Sequence, residues 1–125
     1  MDMERVAALF TLFSGETDVE TYQPVIDASA TEVRQMLRKD ADETDVRLTY
    51  LAAAIANQHY TELCGAREKA LATFAGTIAR QNDASQQLYF AKQLVYSYQT
   101  LCASLVVTPE FQFRTIGGCA DAGTV

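Results

Sequence analysis

Apolar positions along most of this chain recur every three or four residues, the spacing of helices packed on one face. Val6, Leu9, Phe10 and Phe13 predict a first helix over Met3–Phe13. Ser14 and Gly15 stop it, Gly15 suiting the left-handed position beyond a helix end. A second stripe, Ile26, Ala30, Val33 and Leu37, predicts a helix over Tyr22–Lys39. Two starts compete for that helix. Thr17 with Glu20 reads as a capping box, but a helix begun at Asp18 would carry Pro24 inside it. Thr21 as N-cap leaves the proline in the first turn and is preferred. Leu48, Leu51, Ala52, Ile55, His59 and Leu63 share one face of a third helix, about Asp42–Glu68. Ala53, Ala54 and Ala56 add small residues on its other sides, which lets neighbouring helices come close and marks this as the central helix.

Residues 66–82 are ambiguous. Ala66–Phe74 could prolong the third helix past Gly65, whereas Gly76-Thr77-Ile78 suggests a turn or a short extended piece. Asp83 with Gln86 caps a last long helix, about Ala84–Val106. Its stripe is Leu88, Ala91, Val95, Tyr98, Cys102 and Leu105, with Leu94 and Leu101 beside it. Thr108-Pro109 ends that helix. The period then changes: Phe111 and Phe113 alternate with Gln112 and Arg114, as in a strand. A lone strand needs a partner, which would be the 76–80 region or another chain. The expected fold is therefore mainly α. It is a bundle of about four helices with a short C-terminal strand and a weak β element near residues 76–80. One domain would span residues 1–116, with residues 117–125 as a flexible glycine-containing tail.

Composition fits that picture. A chain of 125 residues that is 49% apolar is long enough for one unstapled core, burying about two-thirds of its unfolded surface. The net charge of −6 argues against a dedicated nucleic-acid binder, which needs a basic face. The apolar stretches Val6–Phe13 and Leu51–Ala56 are far too short to span a membrane. Asp2 and Glu4 do not suit a signal peptide. Cys64, Cys102 and Cys119 are an odd set without a C-x-x-C pair, expected as reduced thiols in a cytoplasmic setting.

Candidate chemistry is thin. His59 is the single histidine, so a ferritin-like site with two Glu-x-x-His motifs is closed. It is expected to be a packed, hydrogen-bonded side chain. Asp40–Asp45 is the densest acidic run, but a calcium loop counted from Asp40 would place Asp45 where glycine belongs and Leu51 where glutamate belongs. A helix start, with Asp40 and Glu43 as a capping box, explains it better. No phosphate-binding glycine motif occurs. Tyr89, Tyr96 and Tyr98 could stack on bases, yet Lys92 is the sole charge in Leu88–Val107, so they read as core and interface. No metal, cofactor or catalytic residue is expected.

The order of these pieces carries a resemblance. A short N-terminal helix leads to the Tyr22–Leu37 helix and then to the alanine-rich Leu51–Tyr60 run. Phe-Ala-Gly-Thr-Ile at Phe74–Ile78, another long helix and Phe-x-Phe-Arg at Phe111–Arg114 follow. Over about residues 4–116 this resembles the small head–tail connector, or head-completion adaptor, proteins of tailed phages and prophages. The resemblance implies a non-enzymatic structural protein, made in the bacterial cytoplasm and carried in the virion at the head–tail joint. It implies self-assembly as a ring, dodecameric to match the portal, with the portal protein and the next tail or adaptor protein as partners. DNA would pass through the ring without sequence-specific contact, which an acidic lumen suits. Phe111, Gln112, Phe113, Arg114 and Ile116 would then be the candidate protein interface, adding a strand to a neighbour or to the portal. The alternative expectation is a small cytoplasmic helical adaptor or regulator, a homodimer through the tyrosine face of its last helix.

Overall fold

The structure is a computed structural model that describes residues 1–71 and 77–107, with side chains described outside 67–84. It contains four helices, α1 (Met3–Ser14), α2 (Val19–Met36), α3 (Val46–Leu71) and α4 (Thr77–Leu101), which form a bundle. The alanine-rich helix is its axis. Leu48 and every residue from Leu51 to Ala56 are buried, so α3 is covered on all sides over that stretch. The alanines are why this is possible: α1, α2 and α4 all pack on α3, and larger side chains at those positions would hold them off.

Three helices meet in an aromatic cluster. Phe10 of α1 is fully buried, with its ring 6.3 Å from Tyr22 of α2 and 5.5 Å from Tyr60 of α3. Tyr22 and Tyr60 lie 4.9 Å apart, nearly perpendicular, the edge-to-face arrangement that aromatic quadrupoles favour. Tyr98 of α4 stacks on Phe13 at 5.9 Å and lies 5.5 Å from Tyr50, which ties α4 to the end of α1. Otherwise the α4 backbone approaches α3 alone.

The helix ends differ from the expectation in instructive ways. α1 is capped by Asp2, which accepts from the N–H groups of Glu4 and Arg5. It ends at Gly15 with φ 77°, whose N–H donates to Thr11, as its glycine predicts. α2 begins at Val19 with Asp18 as N-cap and Pro24 inside it, rather than at Tyr22 with Thr21 as N-cap. Asp18 takes both the Thr21 N–H and the Thr21 hydroxyl, and that double bond outweighs the proline. Pro24 is exposed, so water satisfies the Glu20 carbonyl that the missing N–H abandons. α3 starts at Val46 instead of Asp42. Asp42 is spent on a turn, accepting from the Thr44 N–H and hydroxyl, and Asp45 accepts from the Arg47 N–H at 2.9 Å.

Two further corrections concern extended structure. α2 stops at Met36, short of Lys39, because Leu37 turns extended (ψ 134°). α4 stops at Leu101, and a tight turn over Cys102–Leu105 replaces its expected last turn to Val106. The freed ends pair with each other. Arg38 N–H donates to Leu105 O, and Val107 N–H donates to Met36 O, each at 2.8 Å, as an antiparallel bridge between Leu37 and Val106. The β-branched pair Val106-Val107 suits that geometry. Thr77–Arg80, expected as a weak β element, instead lies in α4, since Ala79-Arg80-Gln81 favours a helix. Among the described residues no strand longer than the bridge occurs. The C-terminal strand and the 117–125 tail lie outside the described residues.

Candidate interaction surface

From Ser85 onward the outer side of α4 is nearly free of charge. Between Ser85 and Val107 its only charge is Lys92. Ala91, Val95 and Cys102 point inward against α3 and are buried. Tyr89, Phe90, Tyr96 and Leu101 are all about half or more exposed. At 100° per residue, Tyr89 and Tyr96 fall together on one side of the exposed arc, and Phe90 and Leu101 on the other. Gln86, Gln93 and Thr100 lie between them, all exposed and uncharged. A helix that packs on one neighbour and lacks a solvated charged side is suited to a second partner.

A groove flanks α4 on each side. The one toward α2, about 650 Å³, is polar and charged. His59 spans it, with Nε2 3.0 Å from Glu32 of α2 and Nδ1 3.2 Å from Glu62 of α3. Neutral imidazole has one N–H, so facing two carboxylates at once requires the imidazolium form. Partial burial, the largest single influence, pulls the His59 pKa down, but Glu32 and Glu62 together lift it above 6.5. His59 is thus hydrogen-bonded, as expected for a packed histidine, and half-exposed.

The groove toward α1, about 630 Å³, has no charged residue among its described lining residues. Phe13, Tyr60, Phe90 and Leu94 form its walls, and Asn57 lines it with them. The Tyr60 hydroxyl donates to Glu16 at 2.9 Å. Burial and that bond hold Tyr60 well above the ordinary tyrosine range, so it stays neutral. Cys64, at the rim, is half-buried. Cys102 is buried and donates to the Arg47 carbonyl at 3.4 Å, and burial raises its pKa. Among the described residues neither thiol has a base placed to activate it.

No cluster of three or more metal-ligating side chains occurs among the described residues. The acidic run is held by its own turn: Arg47 keeps the Asp45 carboxyl down to about 2, and Thr44 lowers Asp42. No described helix is long and apolar enough to cross a membrane. The interface residues read from sequence, Phe111, Gln112, Phe113, Arg114 and Ile116, lie outside the described residues. Of the exposed set on α4, Tyr89 and Tyr96 carry the core-or-interface reading that the scarcity of charge in Leu88–Val107 gives from sequence, whereas Phe90 and Leu101 are added by the structure. No protein-family model, curated protein or solved structure matches the chain.

Proposed function

We propose that this chain is a non-enzymatic structural protein that assembles through the outer face of α4, as a connector ring at a phage or prophage head–tail joint. The observation that supports this reading most is the uncharged aromatic face Tyr89–Phe90–Tyr96–Leu101 on a helix with one packed neighbour. In a chain of net charge −6, copies repel one another over most of their surface. The α4 face carries no acid, so copies meet there without that repulsion. A ring needs a head-to-tail contact, in which one copy's face meets a different surface of the next. The groove beside α4 supplies a second, concave surface. In this proposal the portal and the next tail protein dock on the ring, and Phe111–Arg114 with Ile116 reach to a neighbouring copy or to the portal. DNA passes through the lumen without specific contact.

A second reading rests on Tyr89 and Tyr96. They sit two helical turns apart, so antiparallel pairing of two α4 helices sets each against the other's partner. That would give a cytoplasmic homodimeric adaptor. Sequencing the DNA beside this gene separates the two. Portal, capsid and tail genes are expected for the connector; metabolic or regulatory neighbours would favour the dimer.

A further inference from the structure

Asn57 is an anomaly. Its residue is 7% exposed, yet its side-chain amide makes no hydrogen bond within the described protein, although the amide offers two donors and an acceptor. Leaving a buried polar group unpaired is costly, and native proteins rarely do it without a reason. Three of the polar residues around it are engaged elsewhere, and Gln87 across the groove makes no bond to it. Thr61 donates to the Asn57 backbone carbonyl, Tyr60 to Glu16, and Ser14 to Phe10. Asn57 lines the groove between α1, α3 and α4 together with Phe13, Phe90 and Leu94.

This lining defines its ligand. Among the described residues no cation or anion lines the groove, so a phosphate, a carboxylate or an ammonium would find no described charge to pair with. A primary amide presents a donor beside an acceptor, which matches the N–H and C=O of an extended peptide. Aromatic walls suit an apolar side chain two positions along such a strand. An open groove of about 630 Å³ falls in the size range of binding sites, ~300–1,000 Å³.

We propose that this groove binds an uncharged aromatic stretch of extended peptide, and that the occupant is Phe111-Gln112-Phe113 of a second copy of this chain. Three observations select it. This chain contains such a stretch, Phe111-Gln112-Phe113, in which both phenylalanines share one face when extended. The described chain leaves the fold at Val107, paired with Met36 of α2, on the opposite side of α4 from the groove. A chain's own segment must therefore cross α4 to reach its own groove, whereas a neighbour's need not. Phe90 belongs to both the groove and the exposed α4 face, so occupying the one continues the other. The second copy rests on the assembly reading above; the groove's preference for the peptide does not.

The test is a titration of the full chain, diluted until it is monomeric, with a synthetic peptide of residues 109–117. The readout is the Asn57 side-chain amide resonance by NMR. The pair of amide signals is expected to shift saturably. A peptide with both phenylalanines replaced by alanine is expected to leave them unmoved, and Asn57→Leu, read by calorimetric titration with the native peptide, to weaken binding about tenfold, the cost of a lost hydrogen bond. No shift with the native peptide overturns the proposal. So does a shift in the Asn57 signals of the undiluted and the diluted Phe111→Ala/Phe113→Ala chain alike, which would mean that the segment fills its own groove. Peptide binding by a chain that never self-associates would contradict the assembly reading alone. Self-association with Asn57 unmoved would contradict the groove alone.

Discussion

His59 gives the fold a pH dependence that one residue controls. Its two ring nitrogens face Glu32 on α2 and Glu62 on α3, at 3.0 and 3.2 Å, and Lys92 of α4 lines the same groove. The folded pKa is raised above 6.5, so folding takes up a proton between 6.5 and that higher value. The contribution is fully present below 6.5 and is lost as pH rises through the folded pKa. Its size is set by exposure: the side chains of His59, Glu32 and Glu62 are 41%, 44% and 44% exposed. Screened pairs of that kind contribute about 0.5 kcal/mol each, so the two together give about 1 kcal/mol. His59→Gln removes the charge while keeping one hydrogen-bonding group. Urea unfolding of both chains, subtracted at each pH, cancels what the carboxylates do. The difference is expected to be about 1 kcal/mol below pH 6 and near zero well above the folded pKa. This is the only histidine, so its ring protons also report the midpoint by NMR without assignment. A midpoint at or below 6.5, or a difference that grows with pH, would refute the reasoning.

Other consequences are separable. Phe10→Ala empties the centre of the Phe10–Tyr22–Tyr60 cluster and is expected to cost about 3–5 kcal/mol in chemical unfolding. A loss under 1 kcal/mol would mean that the cluster is not packed as described. Gly15→Ala has free space for its methyl group, so the cost is that of the left-handed backbone alone, about 1 kcal/mol, with circular dichroism at saturation unchanged. Deleting residues 109–125 spares the Leu37–Val106 bridge, so helix content should survive while assembly fails. Helical collapse on that deletion would place Phe111 and Phe113 in the core and remove them from the interface.

Much of the bundle was legible because burial and periodicity agree there. Val6 and Phe10, Ile26 and Val33, and Leu48, Leu51, Ala52 and Ile55 are buried where their spacing puts them. The start of α2 differs because a proline inside a helix reads as costly in sequence, whereas Pro24 lies on an exposed face, where the one forfeited bond is open to solvent. The bridge between Leu37 and Val106 was illegible: it is a contact across 69 positions that neither segment's own pattern announces. On the last helix the expected stripe is buried at Ala91 and Val95, and in the turn beyond it at Cys102 and Leu105, while Phe90, outside the stripe, is exposed. The burial of Asn57 follows from the packing of the helices, since a polar residue inside an alanine-rich helix reads as a solvent position.

The central claim is that the outer face of α4 joins copies. Native mass spectrometry of the full chain beside Phe90→Glu/Tyr96→Glu tests it most directly. Each of these side chains is 59% exposed. Burying that part, roughly 100 Å² apiece, is worth about 2–3 kcal/mol per residue. The native chain is expected to form a closed oligomer larger than a dimer, and the variant to stay monomeric with its helix content intact. A native chain that remains monomeric at high concentration, or a variant that assembles as the native chain does, would contradict the account.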